Sequence, residues 1–310
     1  ARQRPGSGPA AGRQRAGSGP AAGRAAGRAA VPTPVAAGNV SRVCLLIAVS
    51  GLLADAPLIV AANRDERYAR PAVTMTILRE SGPRILGGRD ELAGGTWLAV
   101  NEHGLVAGLT NQWSPQGRDP DKKSRGELPL AFAAYRDARS AIEAVCPSLD
   151  PAAYNPCCLL VGDRQALFSV DLTGEGRPQV EDLAPGSHVL ENSPLRARSA
   201  KQLQVAARLS ALTGRAGRAS AAGTAAALAD VLRDHRPAID PAAASPAASQ
   251  PGTPARPAAL LAACVHTAEY GTRSAVIVTV PAAGPPRLQV ADGPPCQVPL
   301  RDMTTLWAAA

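Results

Sequence analysis

The chain has 310 residues, 45% of them hydrophobic but only 3% aromatic, and a formal net charge of +8. Residues 1–43 hold seven arginines and no acid, so the remainder carries 26 basic against 25 acidic side chains. A balanced body excludes a basic nucleic-acid face, and no apolar run approaches the roughly 20 residues that a membrane-spanning helix needs.

The first 30 residues repeat an 11-residue Arg/Gly/Pro/Ala unit. A tract of that composition has no means of building a core, so residues 1–42 are expected to be a disordered leader. Two readings of it stand. It is Arg-rich and acid-free like a transit peptide, although it lacks an amphipathic face. Alternatively, Val43 fits a GTG start codon, which would place Cys44 second in the mature chain. From Cys44 the pattern becomes dense, and the body is expected to run over 43–302 with a tail at 303–310.

Alternation and short apolar runs predict strands at Cys44–Val49, Leu58–Ala62, Thr74–Leu78, Arg84–Gly87, Thr96–Asn101 and Leu105–Thr110. Asn101 to Gly104 reads as the turn between the last two. Ser124-Arg125-Gly126-Glu127 is a capping-box sequence. Leu128, Phe132, Tyr135, Ala138, Ile142 and Val145 continue from it as the stripe of one helix. Strands are expected next at Cys157–Gly162, Ala166–Leu172 and Ser187–Glu191, then helices over 196–213 and 221–234. A Pro/Ala-rich insertion covers about 236–258. Strands return at Leu260–His266, Arg273–Val280 and Arg287–Val290. Strands, a helix, strands, helices and strands again suggest α+β layering rather than a Rossmann alternation. Neither dinucleotide nor P-loop glycine motifs occur.

The six cysteines (Cys44, Cys146, Cys157, Cys158, Cys264 and Cys296) form no C-x-x-C pair, and the four histidines are scattered. No metal, cofactor or disulfide framework is therefore expected. A reducing, cytoplasmic setting is expected instead.

Five segments in order carry a resemblance: Val43-Cys44-Leu45-Leu46, Ala61-Ala62-Asn63-Arg64-Asp65-Glu66, Gly94-Gly95-Thr96-Trp97-Leu98, Leu109-Thr110-Asn111 and Tyr270-Gly271-Thr272-Arg273. On them the chain is identified as a member of the NRDE family, the group that includes the animal transport and Golgi organisation 2 proteins. The family is distantly similar to N-terminal-nucleophile hydrolases of the choloylglycine hydrolase and penicillin V acylase type. Asn101-Glu102-His103-Gly104-Leu105 through Asn111, and Asn192-Ser193-Pro194, match segments of those enzymes. The resemblance implies a four-layer αββα sandwich with Cys44 starting a central strand.

The chemistry of such a site is physical. A terminal cysteine holds a thiol and an α-amine titrating near 8, so nucleophile and base share one residue. Asp65 would orient the ammonium, and Arg64 would favour the thiolate. Asn111 and Asn192 would offer amide N–H groups to an oxyanion. Asn63, Trp97 and Arg273 are the candidate substrate-binding residues. Each has a plainer rival: Cys44 as an ordinary strand cysteine, Arg64 and Asp65 as a structural ion pair, Trp97 as a core plug, Asn192 as a turn cap.

Two functions follow. One is an amidohydrolase acting on a small amide once the Cys44 amine is free. The other is a non-enzymatic binding protein for haem, lipid or acyl-coenzyme A, which the animal relatives' roles imply.

Overall fold

In the computed structural model, the described residues are 44–114, 116–173, 176–214, 220–239 and 258–308. The Arg-rich leader and most of the Pro/Ala-rich insertion lie outside them.

Thirteen strands are present among the described residues. In chain order β1 (Leu45–Ser50), β2 (Leu58–Arg67), β3 (Ala72–Arg79), β4 (Ile85–Asp90), β5 (Leu98–Asn101) and β6 (Val106–Asn111) come first. Helices α1 (Leu128–Ala133) and α2 (Ala138–Val145) follow, then β7 (Cys157–Gly162), β8 (Leu167–Asp171), β9 (Gln179–Asp182) and β10 (Gly186–Leu190). After α3 (Ala200–Gly214) and α4 (Ala221–Leu232) come β11 (Tyr270–Val280), β12 (Arg287–Ala291) and β13 (Arg301–Asp302).

The strands form two antiparallel sheets, ordered β10-β1-β2-β11-β12-β13 and β3-β4-β5-β6-β7-β8-β9. Side-chain alternation along β1 and β2 divides the core. Leu45, Ile47, Ile59 and Ala61 pack against Val205 and Leu209 of α3 and Leu228 and Val231 of α4. Leu46, Ala48, Leu58 and Val60 meet Leu98, Val100, Val106 and Leu160 of the second sheet. That sheet's outer face, with Ala107, Leu159 and Val161, packs on Leu128, Phe132 and Ala141 of α1 and α2. The order of layers is α, β, β, α.

Because both faces of β1 are covered, all six of its residues are buried, and its sequence reads as a continuous apolar run. Each large aliphatic side chain so enclosed contributes roughly 1.5–3 kcal/mol. The sheets approach closely where β1 crosses β6: a Cβ built on Gly108 would stand 2.7 Å from Leu46 Cδ2.

Three expectations from the sequence need correction. The single helix after Ser124 is two. Asn101 Nδ2 donates to the carbonyls of Ala133 and Tyr135 at the end of α1, and Asp137 caps α2 by accepting from Ser140 N. Ser124 makes no side-chain cap bond, and Glu127 instead accepts from the Tyr154 hydroxyl at 2.5 Å. The strand expected over Leu260–His266 is a short 3₁₀ turn (Ala258–Leu261) followed by irregular chain, with His266 joined to Gly271 by one isolated bridge. Strands β9 and β13 were not expected: β9 is a polar edge strand and β13 has only two residues. Cys157 and Cys158 do point to opposite faces, into the helix-side and inter-sheet cores respectively.

Candidate active site

At one end of the inter-sheet layer is a cleft of about 90 Å³. Cys44, at the head of β1, lines it together with Arg64, Asp65 and Glu66 from the end of β2. Trp97 and Asn111 line it from the second sheet. Arg118, Lys123 and Arg125 stand along the loop that borders it.

The polar end of β2 is buried because the strand outlasts the apolar core and needs partners on both sides. Asn63 faces the helical layer, where its Nδ2 donates to Leu232 O at 2.9 Å and to Ala263 O at 2.8 Å. It closes the C-terminal end of α4, whose last carbonyls have no partner within the helix. Arg64 faces the second sheet. Its guanidinium carbon lies 4.5 Å from the centre of the Trp97 ring, and Nη2 is 3.5 Å from Asp90 Oδ2. Burial draws this guanidinium down from its usual range, against the pull of Cys44, Glu66 and Asp90.

Asp65 is the least expected group. It is 1% exposed. Its Oδ1 accepts from the Thr272 hydroxyl at 2.5 Å, whereas Oδ2 is buried with no hydrogen-bond partner among the described residues. Burial pushes its carboxyl up to about 7, although Lys201, Thr272 and Arg64 all pull the other way. Tyr270 fixes the same residue's main chain by donating to Asp65 O at 3.0 Å.

Cys44 is half-buried, and its Sγ lies 3.9 Å from Asp65 O. Burial, reinforced by the Asp65 carboxylate, pushes this thiol up to about 11. The pull of Arg64 does not offset that. With residue 43 in peptide linkage, the cysteine is a protonated thiol at neutral pH and needs a base to act as a nucleophile.

A second ion-pair group forms the cleft wall. Arg70 Nε is 2.7 Å from Asp90 Oδ2 and 3.6 Å from Glu66 Oε2. Burial opposes ionisation of Asp90, but the Arg70 hydrogen bond wins and holds the carboxyl below its usual range.

The structure therefore brings together Cys44, Arg64, Asp65, Trp97 and Asn111. Asn192 stands just behind them, its Nδ2 donating to Asn111 O at 2.6 Å, so this amide buttresses Asn111 from outside the cleft lining. Asn63 and Arg273 lie elsewhere. Arg273, at a bulge in β11, donates through Nη1 to Arg67 O at 3.2 Å, to Tyr68 O and to Arg70 O at 3.3 Å. It braces the β2–β3 turn. Thr272, Lys201, Arg70 and Asp90 were missed by the sequence reading, although Thr272 sits inside one of the quoted motifs.

The Gly-Gly of that reading has a direct explanation. Gly94 has φ +74°, and a Cβ on Gly95 would stand 2.6 Å from the Gly126 backbone, where Thr96 N donates to Gly126 O. Trp97 packs against Gly88, and a Cβ there would run into its indole. Gly88→Ala is expected to lower stability by about 1–3 kcal/mol, the usual result of overpacking. Urea denaturation measures the loss, and a quench or shift of Trp fluorescence would accompany it.

Cys44 thus heads a central strand of an αββα sandwich, and Arg64 and Asp65 stand at the end of the neighbouring strand. A family model described as Transport and Golgi organisation 2 matches residues 43–289. The chain belongs to that family. It is 32% identical over 240 residues to the Bos taurus Transport and Golgi organization protein 2 homolog, covering 73% of this chain and 83% of that one. For the Homo sapiens homolog the figures are 31% over 244 residues, with 73% and 83% covered. A Mus musculus homolog matches at 33% over 145 residues, 44% of this chain and about half (51%) of the relative's length.

Among solved structures, a Caenorhabditis elegans ortholog of N-acylethanolamine-hydrolyzing acid amidase superposes with a TM-score of 0.45 and 11% identity, over 76% of this chain and 92% of that one. A variant of conjugated bile acid hydrolase from Clostridium perfringens gives 0.45 and 14%, over 84% and 93%. No helix among the described residues is long and apolar enough to cross a membrane.

Proposed function

We propose that this chain is a cysteine amidohydrolase for a small amide bearing an anionic group, active when Cys44 is the terminal residue. The observation that supports it most is Asp65. This buried carboxylate has one oxygen held by Thr272 and the other without a hydrogen-bond partner among the described residues, and an α-ammonium on Cys44 would add a cation to the nearby charges of Lys201 and Arg64.

In the reaction the free α-amine takes the proton from Sγ as sulfur attacks the amide carbonyl carbon. The oxyanion collapses, the C–N bond breaks, and the amine gives its proton to the leaving nitrogen. Water then cleaves the resulting thioester, returning the thiol and releasing the acid. Asn111 lines the cleft and would donate its side-chain amide to the oxyanion, a role supported by the bond from Asn192 Nδ2 that fixes its main-chain carbonyl. The anionic preference rests on the border of the cleft, where Arg118, Lys123 and Arg125 stand.

The test is a chain prepared to begin at Cys44, exposed to an activated acyl ester that carries a carboxylate. Intact mass and peptide mapping should show one acyl group on Cys44, absent from the chain that retains residue 43. An unmodified Cys44 in the trimmed chain would refute the proposal.

The basic border also supports a second reading, a binding protein for haem or acyl-coenzyme A, since carboxylates and phosphates would both meet those cations. The small cleft floor suits a headgroup better than a macrocycle. Saturable haemin or acyl-coenzyme A binding without turnover would favour this reading over hydrolysis.

A further inference from the structure

Away from the cleft, four side chains that are far apart in sequence converge. His235 follows α4, Cys264 and His266 precede β11, and Cys296 lies in the loop between β12 and β13. One donor atom from each falls within a sphere where no pair is more than 4.8 Å apart. We infer that His235, Cys264, His266 and Cys296 form a Cys₂His₂ site for a zinc-class divalent metal ion.

The distances fit that chemistry. Zn–S bonds of about 2.3 Å and Zn–N bonds of about 2.0–2.1 Å fix a tetrahedron with edges of about 3.8 Å between sulfurs and about 3.6 Å between sulfur and nitrogen. Cys264 Sγ and Cys296 Sγ are 3.7 Å apart, and His266 Nε2 lies 3.6 Å from the first and 3.3 Å from the second. Three edges thus stand at tetrahedral length. The His235 and His266 rings sit with centroids 5.0 Å apart and planes tilted by 45°.

The support around the ligands also fits. His235 Nδ1 lies 3.2 Å from Cys264 O, so a proton donated there leaves the Nε2 lone pair for the metal. Metal-bound histidines commonly have such a carbonyl partner on the second nitrogen. Cys264 is buried and Cys264 N is fixed by donation to Asp234 O at 2.9 Å. With four protein ligands the site is closed to substrate, so its role is structural: it ties the end of α4, the segment entering β11 and the β12–β13 loop. That segment also carries Val265, whose amide donates to Thr272 Oγ1 at 2.9 Å, one bond from Asp65.

Linear spacing argues against any metal-ligand set, because the cysteines form no C-x-x-C pair and the histidines are scattered. Folding supplies the proximity instead.

The experiment titrates the reduced, metal-stripped full chain with Co(II) and then with Zn(II). Expected are the ligand-field bands of tetrahedral cobalt with a thiolate charge-transfer band, saturating at a single ion per chain and bleached by zinc. Zinc should also protect Cys264 and Cys296, but not Cys44, from alkylation. Cys296→Ser and His266→Ala should each weaken zinc by about a hundredfold or more, beyond what loss of an outer partner commonly costs. The Tm of the unaltered chain should rise with zinc, which keeps the proposal testable if a variant misfolds. Absent tetrahedral bands, equal alkylation with and without zinc, or a Cys264–Cys296 disulfide re-forming in preference to metal uptake would overturn it.

Discussion

In a chain that begins at Cys44, Asp65→Asn will slow acylation of Cys44 by about 10²–10⁴, the range over which a positioned acid–base pair usually acts. The substitution keeps the shape of the side chain and an oxygen for the Thr272 hydroxyl, so packing changes little. What disappears is the negative charge that would hold and orient the α-ammonium. With residue 43 attached the Cys44 thiol is pushed up to about 11, and in the trimmed chain the reaction depends on delivery of the thiol proton to the amine. The pH–rate profile separates this role from a structural one. Without Asp65 the amine loses a proton more readily, so the ascending limb should move to lower pH while the plateau falls. An unchanged profile with a lowered plateau would mark Asp65 as a brace only.

The same residue predicts a second large effect, in the chain that retains residue 43. A carboxyl raised from 3.8 to about 7 in the folded state binds more protons than in the unfolded state between those values. Stability contributed by the neutral form is intact below the unfolded value, falls as pH rises through that window, and levels off above about 7. Asp65→Asn removes this dependence. The stability difference between variant and parent should move by roughly 3–4 kcal/mol in favour of the variant from pH 4 to pH 8. Chemical denaturation at several pH values measures it. Parallel pH dependences in the two proteins would show that Asp65 is not a destabilised carboxylate. In the trimmed chain the difference should shrink, because an ammonium would stabilise the charged form.

Much of the fold was legible because the strands have contrasting surroundings. Run lengths at β1, β2 and β11 are long and apolar since both faces are covered, and they stood out at once. β9 was invisible because Gln179, Glu181 and Asp182 edge the sheet and face solvent, leaving no alternation to read. The break between α1 and α2 was written in Asp137, but the apolar stripe ran through it without interruption. At the site, Cys44, Arg64, Asp65, Trp97 and Asn111 could be grouped from motifs. Asn63 and Arg273 could not be excluded that way, because hydrogen bonding to main-chain carbonyls leaves no mark in a sequence. Thr272 was passed over beside a charged neighbour, and the His235–Cys264–His266–Cys296 group depends on contacts that no linear spacing encodes.

The end of β2 has a consequence for mutation as such. Asn63 and Arg64 address different compartments, one closing α4 and the other meeting Trp97, and the strand is paired on both edges by β1 and β11. Losing a single residue between Leu58 and Asn63 would therefore be no local lesion. A shift by one would swing the guanidinium toward the helices and the helix-capping amide toward the cleft, exchanging every partner at once. Four consecutive polar letters thus behave as a frame that is kept whole or lost whole, and point substitutions and deletions there should differ sharply in severity.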